Sequence, residues 1–235
     1  MKGEVTMHPI IEKFKNGLIV SCQARPGNPL RGAMYMAAMA EAAEMGGAVA
    51  IRADGIEDIS EIKKRVKIPV IGIYKTEPSP EIPYITPDFE HAKAIADLGV
   101  EIIALDATLR KRPDGTDVAE LIGRIKSELG TLVMADIATF EEGVAAAKAG
   151  ADIVATTLSG YTTYTPFTKE PDYELIRKLY AAVDVPIIAE GRFVSPDDVA
   201  KGIKCGAHAV VIGKAITNIT FSTDRFIKEA TGLLK

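Results

Sequence analysis

Polar residues recur at one kind of place in this sequence, the end of a short apolar run. Gln23, Arg52, Lys75, Asp106, Asp136, Thr157 and Glu190 each close such a run, and Lys214 lies just after an eighth. One such residue is an ordinary strand-to-loop transition. Eight in order suggest a shared cavity, with two cations in the first half, carboxylates in the second and neutral hydrogen-bonding groups between. That is the make-up of a site for a small polar substrate. Two of the ends carry a second signal: Ala189-Glu190-Gly191-Arg192 and Ile212-Gly213-Lys214-Ala215 each set a glycine beside a cation. Glycine lets the backbone approach an anion, and a helix opening after the strand offers free N–H groups and a positive dipole end. A phosphate is the expected occupant.

Other chemistries are disfavoured. His8, His91 and His208 do not sit at the ends of apolar runs, which argues against a catalytic histidine or a histidine-rich metal site. Cys22 and Cys205 are the only cysteines, too few for a disulfide framework or a cysteine-rich zinc site. Lys+Arg 28 against Asp+Glu 32 gives a net charge of −4, so no basic face for nucleic acid is expected. The one dense basic cluster, Arg110, Lys111 and Arg112, precedes Pro113, Asp114 and Gly115 and reads as a solvated loop. There is no signal-like apolar run and no stretch long enough to span a membrane, so a soluble cytoplasmic protein is expected.

The elements that must hold these ends are legible in the spacing. Apolar runs from Leu18 to Gln23, Ala48 to Arg52, Val70 to Lys75 and Ile102 to Asp106 read as buried parallel strands. So do Leu132 to Asp136, Ile153 to Thr157, Ile187 to Glu190 and Ala209 to Gly213. Amphipathic segments lie between them, with helix starts expected at Thr86-Pro87-Asp88, Thr139 and Ser195-Pro196. Gly46, Gly99, Gly150 and Gly206 each end a helix before a strand and recur roughly every fifty residues, the period of a quarter-barrel repeat. Eight units of about 29 residues predict a single (β/α)8 TIM barrel over residues 1–235, with a doubly wound sheet as the alternative. A barrel's active site lies at the C-terminal ends of its strands, where the polar residues fall. The tail from Thr223 to Leu234 is amphipathic and suits packing on the barrel or on a second copy, making a homodimer.

The residues at these ends resemble one family. Segments 17–24 (Gly-Leu-Ile-Val-Ser-Cys-Gln-Ala), 51–53 (Ile-Arg-Ala) and 69–75 (Pro-Val-Ile-Gly-Ile-Tyr-Lys) are similar to the N-acetylmannosamine-6-phosphate 2-epimerase family. So are 104–108 (Ala-Leu-Asp-Ala-Thr), 134–137 (Met-Ala-Asp-Ile), 156–162 (Thr-Thr-Leu-Ser-Gly-Tyr-Thr) and 189–192 (Ala-Glu-Gly-Arg). The resemblance implies a TIM-type barrel that interconverts N-acetylmannosamine 6-phosphate and N-acetylglucosamine 6-phosphate in sialic-acid catabolism, with no metal or other cofactor. It further implies catalytic roles for Lys75 and Glu190 and substrate-binding roles for Gln23, Arg52 and Asp136. Phosphate-binding roles fall on Gly191, Arg192, Gly213 and Lys214.

On that reading the ring opens, C2–H becomes acidic beside the C1 aldehyde, and Lys75 takes the proton. A lysine amine ordinarily titrates near ~10.4 and must be lowered by burial or a nearby cation such as Arg52. Glu190 serves either as the opposing acid or to orient the acetamido group. Asp106 and Asp136 bind hydroxyls or hold Arg52 or Lys75 in place. The stretch from Ser159 to Pro171 is a candidate lid. A class I aldolase using Lys75 as a Schiff base, and a non-catalytic sugar-phosphate sensor, are the rival readings.

Overall fold

The computed structural model describes residues 7–79 and 81–233. A short helix α1 (Pro9–Glu12) precedes β1 (Gly17–Cys22), α2 (Ala33–Met45), β2 (Ala50–Asp54), α3 (Ile56–Arg65) and β3 (Val70–Ile73). Then come α4 (Phe89–Ala96), β4 (Ile102–Asp106), α5 (Val118–Arg124), β5 (Leu132–Asp136), α6 (Phe140–Lys148) and β6 (Ile153–Ala155). The chain ends with α7 (Tyr173–Ala182), β7 (Ile187–Glu190), α8 (Pro196–Lys204), β8 (Ala209–Ile212), α9 (Lys214–Thr217) and α10 (Ile219–Leu233). Each strand pairs in parallel with the next, and β8 pairs with β1, closing a (β/α)8 barrel rather than an open sheet.

Strand register sorts the side chains into two packed layers. Successive strand residues point to opposite faces of a sheet. Alternate positions such as Ile19, Ala50, Ile71, Ile102, Met134, Ile153, Ile188 and Ala209 fill the barrel interior. The intervening ones, including Val20, Ile51, Val70, Ile103, Val133, Val154 and Val210, pack outward against the helices. Both faces of each strand are covered, which is why the runs are continuously apolar.

Boundaries differ from the sequence expectation in an informative way. β2 runs on to Asp54, whereas β1, β3, β6 and β8 stop short of Gln23, Lys75, Thr157 and Gly213. Beyond Ile73 the neighbour of β4 is no longer β3. Residues 84–86 fold back instead, with Lys75 bridged antiparallel to Ile85 and Asp106 N–H donating to Ile85 O at 2.8 Å.

Helix starts at Thr139 and Ser195 carry full capping boxes, with Glu142 and Asp198 as the reciprocal partners. At α4 the cap is Asp88, not Thr86: the Asp88 carboxylate accepts from His91 N–H at 2.9 Å. Thr86 is buried for another purpose. The glycine-closed helix ends hold at Gly99, Gly150 and Gly206, but after α2 the left-handed residue is Gly47 (φ +94) and Gly46 stays helical.

The tail forms α10, whose Ile219, Phe226 and Ile227 are exposed; Leu234 lies outside the described residues. Among the described residues no helix is long and apolar enough to cross a membrane.

Candidate active site

The two-residue period that fills the barrel interior also aims the site. Counting by twos from an interior residue on each strand reaches Gln23, Arg52, Lys75, Asp106, Asp136, Thr157, Glu190 and Gly213. The polar groups therefore form the layer above the last apolar one, at the C-terminal mouth. Lys214 is one residue out of step; it is exposed and opens α9.

A fully buried ion pair forms the floor. Arg52 binds both carboxylate oxygens of Asp136, Nη1 to Oδ1 at 3.0 Å and Nη2 to Oδ2 at 2.5 Å, with the two side chains 1% and 0% exposed. Arg52 Nη1 also lies 3.1 Å from Glu190 Oε2, so a single guanidinium serves two carboxylates. Burial works against the Arg52 charge, but Asp136 and Glu190 together outweigh it and hold the guanidinium firmly protonated. Thr157 Oγ1 completes the network, lying 2.7 Å from Asp136 Oδ1 and 3.2 Å from Glu190 Oε2.

Above the floor sit two groups whose proton affinities are displaced towards each other. Burial lowers the pKa of Lys75, helped by Arg52 and Arg25 and opposed by Asp54 and Glu190. Burial raises that of Glu190, with Asp136 adding to the effect and Arg52, Lys75 and Thr157 opposing it. The two displacements run towards each other, the direction in which an acid and a base must be tuned to work as a pair. Lys75 Nζ donates to Gln23 Oε1, and Gln23 Nε2 donates to Ser21 Oγ at 2.7 Å, which fixes the amide's orientation.

Asp106 is engaged elsewhere. Its carboxylate accepts from Thr108 Oγ1 at 2.6 Å and Arg110 Nη2 at 2.5 Å, so it holds neither Arg52 nor Lys75. The basic cluster is correspondingly not a solvated loop. Arg110 and Arg112 are 8% and 5% exposed, Arg112 Nη2 donates to Asp106 O, and only Lys111 faces solvent. The turn at 113–115 is present as expected, but it folds the two arginines back onto β4.

Arg192 also has internal partners. With φ +64, it donates from Nη1 to Ser159 O at 2.6 Å and from Nε to Glu170 O at 2.8 Å, lying near the rings of Tyr161 and Phe167. It thus ties both ends of the 159–171 stretch to β7. Tyr164 Oη anchors the middle by donating to Glu142 at 2.5 Å. Gly191 takes φ +108, and a Cβ there would meet nothing closer than 3.8 Å. Gly213 precedes α9, its Cα flank 3.3 Å from Ser21 Cβ at the position a Cβ would occupy.

One residue at the mouth has no counterpart among the candidates read from the sequence, and a second was given no individual role. Asp54, the last residue of β2, accepts from the Lys75 backbone N–H at 2.9 Å. Thr157 was visible as a strand end but carried no role. A cavity of about 690 Å3 opens on the barrel flank among Ala138, Ser159, Lys169, Asp172 and Lys201. It contains none of the strand-end side chains. His8 caps α1, His91 pairs with Asp88 and His208 lies 2.9 Å from Ile11 O. Among the described residues no cluster of three or more His, Cys, Asp or Glu side chains is arranged to hold a metal ion.

Comparison with known proteins places this geometry. Residues 36–231 match the NanE family model, described as "Putative N-acetylmannosamine-6-phosphate epimerase". A protein of Caldanaerobacter subterraneus named "Putative N-acetylmannosamine-6-phosphate 2-epimerase" is 52% identical over 93% of this chain and 92% of its own length. A Clostridioides difficile protein of the same name is 47% identical over 93% and 98%. The solved structure of the N-acetylmannosamine-6-phosphate 2-epimerase from Clostridium perfringens superimposes with a TM-score of 0.90 at 44% identity, covering 94% of this chain and 96% of that one. A thiamine phosphate pyrophosphorylase from Pyrococcus furiosus, 16% identical with a TM-score of 0.61, shares the fold alone.

Proposed function

The chain belongs to the N-acetylmannosamine-6-phosphate 2-epimerase family, and from that premise we propose how its barrel mouth performs the reaction. The protein is an isomerase acting on carbohydrates. It interconverts N-acetylmannosamine 6-phosphate and N-acetylglucosamine 6-phosphate, a step of amino-sugar and sialic-acid catabolism.

The chemistry inverts C2. Once the ring is open, the C1 aldehyde makes C2–H acidic, and removing that proton places negative charge on O1. Lys75, neutral, takes the proton from one face. Glu190, protonated, returns one to the other face. The reverse direction starts with the proton on Lys75 and the charge on Glu190; the pair holds one proton before and after each inversion and two while the enediolate exists, and it titrates as a unit. The observation that carries this reading is the placement of Lys75 and Glu190 on the inward phase of the barrel mouth, near enough for each charge to act on the other, and their opposite displacements agree with it.

The remaining residues serve that exchange. Gln23, partly exposed and bonded to Lys75 Nζ, faces the sugar, while Arg52 and Asp136 form the floor beneath it. The Arg52 charge stabilises the enediolate as it develops and favours a neutral Lys75. Fixed charges of this kind usually supply the largest single contribution to rate. Gly191 and Arg192 after β7, with Gly213 and Lys214 after β8, hold the phosphate. Arg192 contributes its main chain there, because its guanidinium is engaged by Ser159 and Glu170. Contacts at the phosphate do not change during reaction, yet they fix C2 within reach of both proton carriers.

Incubation of N-acetylmannosamine 6-phosphate with the protein and sodium borohydride separates this reading from the aldolase. Conversion to the gluco epimer without a reduced adduct on Lys75 is expected. A covalent adduct there would identify Schiff-base chemistry. The exposed face of α10, with Phe226 77% and Ile227 61% exposed, supports a homodimer, which light scattering would read as twice the chain mass. A cytoplasmic location fits a sugar phosphate as substrate, since a charged phosphate ester does not cross a bilayer unaided.

A further inference from the structure

Lys75 lies two residues past the end of β3, where no strand pairing holds it. Its backbone is nevertheless fixed from two sides. On the β2 side, Lys75 N–H donates to Asp54 Oδ1 at 2.9 Å, reaching across the sheet to a side chain rather than to a neighbouring strand's carbonyl. On the other side the chain returns along residues 84–86. Thr76 N–H donates to Tyr84 O at 3.0 Å and Thr86 N–H donates to Tyr74 O at 2.8 Å, so Lys75 sits in a short antiparallel bridge. Thr86 Oγ1 then joins that bridge to β4: it accepts from Tyr74 N–H at 3.1 Å and donates to Ala104 O at 2.7 Å.

Thr86 does this in an unusual conformation. Its φ is +44 although it is β-branched and fully buried. L-residues with branched side chains avoid that region. Such strain persists only where the surroundings over-determine it, and it gathers at functional sites. Here the three hydrogen bonds at Tyr74 and Ala104 over-determine it, and the residue they immobilise is next to Lys75.

We propose that Asp54 and Thr86 are positioning residues that clamp the backbone at Lys75 from its two sides, with Asp54 also supplying the carboxylate that faces the lysine from β2. The inference rests on the assignment of Lys75 as the base. The charged groups facing Lys75 are Asp54 and Arg52 from β2, Glu190 from β7 and Arg25 from the loop after β1. Asp54 is the strongest of these and opposes the downward pull of burial on the amine. Removing its charge while keeping its acceptor therefore makes Lys75 easier to deprotonate, and draws Glu190 in the same direction if at all.

Four variants and one control test the clamp, each scored by kcat, KM and the pH profile of kcat/KM, with folding checked by circular dichroism. Asp54→Asn retains the Oδ1 acceptor; it is expected to displace the profile to lower pH by roughly half a unit to one unit, with little loss at the plateau. Asp54→Ala loses the acceptor as well, and its kcat falls about 10-fold with KM nearly constant, the signature of a misplaced base. Thr86→Val gives a similar fall in kcat with no displacement of the profile, and Thr86→Ser recovers most of the rate. An Asp54→Asn profile that coincides with wild type, or wild-type kcat in Asp54→Ala, overturns the proposal. If Thr86→Val does not fold, the two Asp54 variants decide alone. Lys75→Ala is run alongside. Full activity in that control would refute the base assignment and the clamp with it, whereas an inactive control with a coincident Asp54→Asn profile refutes the clamp only.

Discussion

Lys75→Ala is expected to lower kcat by roughly 10³-fold, with KM changed only a few-fold. Proton transfer by a positioned side chain typically contributes 10²–10⁴-fold to a rate. Here it acts on a carbon acid that water deprotonates slowly, so the effect falls in the middle of that range or above. KM is expected to be spared because, on the proposed reading, the phosphate contacts and the barrel floor rather than the amine hold the sugar in the ground state. Stability is spared too: among the described residues the side-chain hydrogen bond from Lys75 Nζ goes to Gln23, itself partly exposed. Steady-state kinetics together with a urea melt check both halves. A loss below about tenfold, or a large fall in stability, would show that the lysine is structural.

Arg52→Ala has a different signature, a loss of fold stability as well as rate. Asp136 is completely buried, and Arg52 supplies two of its hydrogen bonds. Removing the guanidinium strands that carboxylate, with Glu190 close by and deprived of the same partner. Breaking one side of a buried pair costs about 3–5 kcal/mol, since the remaining charge has lost its compensation. Activity should fall by about 10²–10³-fold through loss of the fixed cation near the developing oxyanion. The denaturant midpoint and kcat therefore drop together, unlike in Lys75→Ala. Because Arg52 opposes the upward displacement of Glu190, the variant should also hold Glu190 protonated to higher pH. An Arg52→Ala protein as stable as wild type would mean that the buried pair is not the floor of the site.

Much of this was readable before any coordinates, for a definite reason. A parallel barrel buries both faces of every strand, so strands announce themselves as continuous apolar runs, and the first polar residue in each marks the mouth. Gln23, Arg52, Lys75, Asp136 and Glu190 were legible in that way. Counting by twos along each run, from an interior residue, would have separated Lys214 from the others, because it alone falls on the outward phase.

The misreadings share a cause: local letters stood in for long-range partners. Arg110 and Arg112 look solvated beside a Pro-Asp-Gly turn, yet Asp106, four and six residues back, draws both inward. The Arg192 guanidinium donates to carbonyls 22 and 33 residues away, partners its neighbouring letters do not announce, so only its main chain is free for the proposed phosphate contact. Thr86 resembles a helix cap because Pro87 and Asp88 follow it; its hydroxyl instead bridges Tyr74 and Ala104. Asp54 shares the inward phase of Ala50 and Arg52, but its position past the first polar residue hides it, and its hydrogen bond goes to a backbone 21 residues on.

The central claim is that C2 loses its proton to the protein and regains one from the solvent pool through Lys75 and Glu190. Proton NMR of N-acetylmannosamine 6-phosphate turned over in D2O tests it most directly. The account predicts that N-acetylglucosamine 6-phosphate formed in the earliest measurable turnovers already carries deuterium at C2, and that Lys75→Ala slows its formation by roughly 10³-fold. Early product retaining the original hydrogen at C2 would contradict it.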